Sequence, residues 1–253
     1  MPTPTRTTWS QIVNDFLDLW NFPNCTGAIK GKRVKVQAPP HSGSKFFNYK
    51  HSFFVVLLAL VDALYKFTVV GIGSYGRNSA GGIFPHSKLG KYLETHLGIP
   101  EDEELPGTSC FFASYLIVGD DAFPLKTYLM RPYPGLQSKG DNEKSIFRLS
   151  RARRVVENAF GILSQKFQIY QRTVQLLPEN ADIIFATCIL HNYLRDQGAD
   201  VGDMGSSANV RSNLTKIPNQ GGNAHQSAFE VRDKFKQFFN SPSGSVPWQN
   251  GRV

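Results

Sequence analysis

Apolar and polar positions recur along this chain with two periods, and the switches between them mark its elements. Trp9, Ile12, Val13, Phe16, Leu17 and Trp20 lie at helical spacing. They predict a helix over residues 9–20, with Thr8 or Ser10 at its start and Pro23 after its end. The pattern alternates from Arg33, so Ala28–Val36 reads as a strand that Pro39-Pro40 ends, followed by a polar, basic loop over 41–50. Ser52–Leu64 is nearly all apolar and rich in β-branched and aromatic residues, which favours a strand. Lys66–Ile72 reads as a third, and three strands in succession predict a meander.

Past the meander, His86–Leu97 reads as a helix with Leu89, Leu93 and Leu97 on one face, and Glu101–Glu104 as a solvated loop. Leu116–Gly119 reads as a buried strand that stops at the acidic pair Asp120-Asp121, and Pro124 blocks its continuation. Leu125–Met130 suggests a short helix, ended by Arg131-Pro132-Tyr133-Pro134-Gly135. The strongest helical pattern is Ser150–Phe167, where Ala152, Val155, Val156, Ala159, Phe160, Leu163 and Phe167 share one stripe. Asn180–Leu194 is a further helix, with Ile183, Ile184, Ala186, Thr187, Ile189, Leu190 and Leu194 as its core and His191 as a packed or capping group. These elements make one domain over 1–196. Residues 197–225 read as a flexible linker of Gly, Ser and Asn. Ser227 and Glu230 suggest a capping box for a C-terminal helix over 226–240 carrying Phe235, Phe238 and Phe239, and 241–253 is a tail.

One motif misleads. Gly71-Ile72-Gly73-Ser74-Tyr75-Gly76 spells the dinucleotide fingerprint G-x-G-x-x-G after a strand. Arg77-Asn78-Ser79-Ala80-Gly81-Gly82 is too poor in helix formers to supply the helix that must follow, and no crossover precedes it. The motif is therefore rejected.

Composition narrows the class. Hydrophobic residues are 41 % of 253, enough for a sizeable core. The most apolar stretch, Phe53–Leu64, is too short to span a bilayer and carries Asp62. The first ten residues lack a signal-peptide core. Cys25, Cys110 and Cys188 are far apart, which argues for a reducing compartment and against a zinc knuckle or disulfide framework. A formal charge of +8 favours an anionic partner, nucleic acid first.

The candidate chemistry is carboxylate chemistry. Asp120 stands at a strand end, and Glu157 lies at the edge of the apolar stripe of the long helix, where an acid reaches past the helix toward a strand end. Its alternative partner is Arg153 or Arg154, one turn back. Arg148, Arg151, Arg153 and Arg154 make the helix entrance a phosphate-binding ridge or a solvated face. A strand-end Asp and a helix Glu after a three-strand meander are what an RNase H-like nuclease core needs. Such carboxylates hold Mg²⁺ or Mn²⁺, hard ions that prefer oxygen.

At this point the chain resembles the catalytic domain of PIF/Harbinger transposases and their nuclease-like relatives. The matching stretches include Trp20-Asn21-Phe22-Pro23, Leu58-Ala59-Leu60-Val61-Asp62-Ala63 and Tyr75-Gly76-Arg77-Asn78-Ser79. Gly119-Asp120-Asp121-Ala122-Phe123-Pro124, Arg153-Arg154-Val155-Val156-Glu157-Asn158-Ala159-Phe160-Gly161 and Leu190-His191-Asn192 complete the order. The resemblance implies an α/β RNase H-like mixed sheet flanked by helices, with a C-terminal helical appendage. It implies a divalent-metal DNA endonuclease, with Asp120 and Glu157 as second and third catalytic acids. It also implies DNA and a Myb-like DNA-binding protein as partners, a homodimer as a possible assembly, and nuclear location, with cytoplasm as an additional site.

The departures bear on activity. The family carries its first acid after Gly-Ala-Ile, where this chain has Lys30, and often has Asp where this chain has Gly71 and Ala80. The expectation is that Lys30 pairs with Asp120 or Glu157, fills the metal's space and impairs catalysis. Asp62 on the adjacent strand, or Asp121, is the candidate substitute ligand. A disabled DNA-binding protein, an active endonuclease and a non-catalytic chromatin interaction protein stay open as readings. A truncated copy, a trimmed gene model and a domesticated fragment stay open as origins.

Overall fold

The computed structural model describes residues 1–37, 53–75, 84–87, 90–91, 103–108, 112–133, 141–174, 182–198, 213–216 and 224–249. The leading helix, α1 (Arg6–Trp20), starts a turn earlier than predicted. Thr5 is its N-cap and forms a reciprocal capping box with Thr8, so neither Thr8 nor Ser10 is the cap. Trp9, Ile12, Val13 and Phe16 are buried, and Asn21 in the left-handed region ends the helix before Pro23.

Three long strands follow as an antiparallel meander: β1 (Cys25–Val36), β2 (Phe53–Val61) and β3 (Phe67–Tyr75). β2 is the middle strand of the meander and apolar on both faces, which is why its sequence shows no alternation. Gly71 and Gly73 lie inside β3, with Gly71 paired to Leu58, so the supposed dinucleotide fingerprint begins as strand rather than phosphate loop. Leu116–Val118 forms β6, parallel to the start of β1. With β7 (Leu129–Met130) beyond β6, the sheet order is β3-β2-β1-β6-β7, and β8 (Thr215–Lys216) pairs β1 at Lys32 and Arg33.

Two expectations fail locally. Leu125–Met130 is not a helix: Leu129–Met130 is β7, parallel to β6, with the Tyr128 and Met130 carbonyls accepting from Ile117 and Gly119. Pairing with a distant strand overrides the local propensity. Glu103–Glu104 is not a loop but β4, paired with β5 (Phe112–Ala113), and the Tyr115 hydroxyl donates to Glu103. Leu89, Leu93 and Leu97, Pro39-Pro40 and the loop 41–50 lie outside the described residues, as does most of the predicted linker.

The long helix, α2 (Asp141–Lys166), starts nine residues before the predicted Ser150 and buries its stripe against the sheet. A C-terminal helix, α4 (Gln226–Asn240), is built into the same core rather than hung from it. Phe235, Phe238 and Phe239 are buried, with Phe22 packed on Phe235 and Phe239 at ring separations of 5.8 and 5.2 Å. His225 is its N-cap with no side-chain hydrogen bond, so the Ser227/Glu230 box does not form.

The third helix, α3 (Asp182–Asp196), buries Ile184, Thr187, Cys188 and His191. Ile183, Ala186, Ile189 and Leu190, expected in the core, are exposed. His191 is packed as expected: its Nε2 hydrogen-bonds the Tyr65 carbonyl at 2.8 Å and its ring meets Phe67 edge-on. Beside it, Asn192 accepts from the Phe67 N–H and donates to the Phe67 carbonyl, both at 2.8 Å. One amide side chain thus replaces a strand neighbour on the open edge of β3, a common liability of sheet edges. Asn192→Ala is expected to leave both Phe67 groups unpaired and to destabilise the fold by ~2 kcal/mol. The check is a lower urea midpoint with an unchanged slope, and a shift under about 0.5 kcal/mol would remove this role from Asn192.

Candidate active site

The centre of the site follows from strand register. In the parallel pair β1/β6, Ala28 lies opposite Val118. Two residues further along each chain are Lys30 and Asp120, brought face to face where β6 stops and β1 continues. Gly119 permits this close departure: a Cβ there would meet Ile29, Phe123 and Leu129 at 3.2–3.3 Å. Asp120 is fixed by its own turn, its Oδ1 accepting from the Ala122 N–H and its carbonyl from the Phe123 N–H.

The Lys30 Nζ donates to Asp120 Oδ2 at 3.2 Å and also to Glu157 Oε1. Glu157 projects from the middle of α2, and its other oxygen is 3.1 Å from the Lys32 Nζ. Lys30 and Lys32 are two apart on one strand and so share a face. Glu157 therefore pairs with the lysines of β1, not with Arg153 or Arg154. Lys32 is the site residue that the sequence reading missed, and its signal was the i, i+2 spacing from Lys30.

Burial differs across the cluster. The Lys30 side chain is 4 % exposed, Asp120 15 % and Glu157 35 %. Burial pushes the Glu157 carboxyl up, but Lys30 and Lys32 together outweigh it and hold it below the usual carboxylate range.

The other candidates are dispersed. Asp62 does not join the site: its Oδ1 accepts from the Leu64 and Lys66 amides at 2.9 and 2.8 Å, closing the β2–β3 turn. Burial raises its pKa to about 6. Asp121 is exposed in the turn after Asp120. Gly71 lies in the strand two places from β1, about 10 Å from Lys30 at normal strand spacing, and Ala80 lies outside the described residues. Among the described residues no group of three or more His, Cys, Asp or Glu could hold a metal ion. The donor set does not fit a divalent cation, because the ammonium already satisfies both carboxylates.

The arginine cluster divides. Arg148 is 2 % exposed and donates to the carbonyls of Gly244 and Asn21, with its guanidinium over Phe239 and Trp248. Burial, with Arg151 nearby, lowers its pKa to about 10. Arg151 lies over Trp248 at 4.5 Å and Trp20 at 5.9 Å. Both serve the fold, clasping the end of α1 to the segment after α4. Arg153 is half-buried and Arg154 exposed, and among the described residues neither joins this clasp.

Lys30→Met is expected to leave two carboxylates without their ammonium and to cost about 2 kcal/mol at neutral pH. That is below the usual cost of breaking a buried pair, because solvent screens Glu157. Since the Glu157 pKa is depressed in the folded state, its contribution is present above the unfolded carboxylate range and is lost as pH falls through the folded value. The midpoint difference between parent and Glu157→Gln should therefore shrink on acidification below about pH 4. A difference that stays constant across that window would remove Glu157 from the ion-pair network.

Comparison with known proteins gives this geometry a lineage. The family model described as DDE superfamily endonuclease matches residues 29–192, a span running from the strand of Lys30 through Asp120 and Glu157 to Asn192. An ALP1-like protein of Arabidopsis thaliana is 27 % identical over 190 residues, covering 74 % of this chain and 47 % of the relative. A "Putative nuclease HARBI1" of Mus musculus is 25 % identical over 198 residues, covering 75 % and 51 %. Its human counterpart is 24 % identical over 194 residues with the same coverage. The chain thus spans about half the length of the curated relatives it matches, and no solved structure matches it. A family match over more than half of the chain, on a mixed sheet flanked by helices, settles the kinship: this chain belongs to the DDE superfamily endonuclease family, with ALP1-like and HARBI1 proteins among its relatives.

Proposed function

We propose that this protein is a transposase-derived, endonuclease-like DNA-binding protein whose nuclease centre is disabled by Lys30. The observation that carries the reading is the Lys30 ammonium between Asp120 and Glu157. Endonucleases of this superfamily generally use divalent metals, and Mg²⁺ or Mn²⁺ would call on these two carboxylates here. A metal near the ammonium would meet about 4 kcal/mol of repulsion per unit charge at ~4 Å and an effective dielectric near 20. The carboxylates would also have to give up Lys30 and Lys32. The cluster is therefore a structural ion pair in place of a metal site.

The ligand is duplex DNA. Arg153 and Arg154 on α2 and the net charge of +8 support this. A Myb-like DNA-binding protein and a second copy of the chain are the proposed partners, and the nucleus is the proposed location.

Two experiments test the reading. In supercoiled-plasmid nicking with Mn²⁺, the parent is expected at background and Lys30→Asp above it, with the gain lost when Glu157→Gln is added. Calorimetry should find Mn²⁺ binding to Lys30→Asp and none to the parent. A parent that nicks, and stops nicking on Glu157→Gln, overturns the disabled-site reading. For DNA binding, Arg153→Glu with Arg154→Glu should weaken duplex affinity at least ~10-fold and flatten its salt dependence. Binding that ignores both salt and these substitutions would remove DNA as the ligand.

A further inference from the structure

A cavity of about 400 Å³ lies where the segment Met1–Pro4, the turn from β2 into β3 and one face of α3 meet. That volume is within the ~300–1,000 Å³ range of small-molecule sites. Its walls are largely apolar, with Pro2 and Pro4 from the leading segment, Phe67 from β3, and Ile189 and Tyr193 from α3. Ile189 and Tyr193 are four apart and so share a helix face.

Most polar groups around the cavity are spent inside the chain. The Asn192 amide is taken by the Phe67 peptide groups. The Thr68 hydroxyl donates to the Leu60 carbonyl at 3.0 Å, and the Lys66 ammonium to Asp196 at 2.7 Å. Asp62 differs. It is 8 % exposed, and its Oδ1 is occupied by the Leu64 and Lys66 amides. Among the described residues its Oδ2 accepts no hydrogen bond and joins no ion pair, yet it is not sealed from solvent. The Met1 amine, at the cavity wall, forms no ion pair with it either. Burial raises the Asp62 pKa to about 6 despite the amide and ammonium of Lys66, and Asp15 adds to the rise. At neutral pH the carboxyl is therefore mostly ionised, a buried charge without a bonded counter-ion.

We propose that this cavity binds a small organic cation, a primary ammonium on a compact apolar body. The ammonium donates to Asp62 Oδ2, and the body lies between the two prolines and the α3 side chains Ile189 and Tyr193. A charge-assisted hydrogen bond of this kind is among the stronger single contacts a pocket can offer. The chemistry disfavours the other classes. An anion would meet Asp62 and Asp196, while the ammonium of Lys66 is already held by Asp196. A hard divalent ion needs several oxygen ligands, where this cavity offers one open carboxylate oxygen among apolar walls. A neutral molecule would leave the carboxylate charge unbalanced. This inference rests neither on DNA binding nor on the state of the Lys30 site.

NMR titration of the full chain with 2-phenylethylamine tests it, with a dissociation constant expected at about 1 mM or tighter. The neutral 2-phenylethanol should bind at least ~10-fold more weakly, and the anion 3-phenylpropionate not at all. Asp62→Asn keeps an Oδ1 acceptor for the two turn amides, so the urea midpoint should change little while amine affinity falls at least ~10-fold. Ile189→Lys, at a position 38 % exposed, places an ammonium in the wall and should abolish amine binding without touching the turn. Leu190→Lys, on the same helix but outside the cavity lining, should leave binding unchanged. A parent that does not bind the amine at 5 mM, about five times the expected constant, overturns the proposal. So does a parent that binds 3-phenylpropionate equally well. Amine binding that survives Ile189→Lys, or that Leu190→Lys weakens as much, overturns it too, because the amine then sits elsewhere.

Discussion

An ammonium buried inside a protein must find anions. Lys30, 3 % exposed as a residue, stands in the middle of β1, the central strand of the sheet order, and the arrangement around it meets that demand. β6 ends where it does, and Gly119 lets the chain leave closely, so that Asp120 is delivered to one side of the ammonium. The long helix lies across the sheet so that Glu157 arrives on the other. Lys32 then balances the second oxygen of Glu157. Strand end, helix and β1 are thus tied through one positive charge. The geometry that serves a metal also serves a lysine, because both require carboxylates held rigidly and converging.

The basic residues of α2 show how local sequence underdetermines use. Four arginines within seven positions look alike in sequence. Helical geometry turns Arg148 and Arg151 toward the end of α1 and the segment after α4, where carbonyls and aromatic rings receive them. Arg153, half-buried, and Arg154, exposed, take no part in this clasp among the described residues. A guanidinium is well suited to the inner role, since its flat faces stack on rings while its edge donates to carbonyls. The same clasp brings the last helix into the domain, with Phe22 against Phe235 and Phe239.

The legible parts of the fold were those where burial follows the chain's own period. The meander, the strand before Asp120, the long helix and the terminal phenylalanine helix were all readable. The misread parts depend on a distant neighbour. Leu129–Met130 is a strand only because β6 lies alongside it, and Glu103–Glu104 only because β5 does. Helix α3 has apolar residues on two faces, and periodicity alone could not say which face meets β3. Asn192 looked like any helix polar residue until the edge of β3 gave its amide a peptide to imitate.

The sequence by itself therefore determined the family, the meander and the main helices, and it singled out Lys30, Asp120 and Glu157 as residues to watch. These are set by local period and by residue identity, both written along the chain. The tertiary structure decided which charges meet. It paired Lys30 with both acids at once, added Lys32, sent Asp62 to a turn, drew two arginines inward and turned Ile183, Leu190 and Tyr193 of α3 outward. Those outcomes turn on strand register and helix rotation, where a shift of one residue moves a side chain to the opposite face.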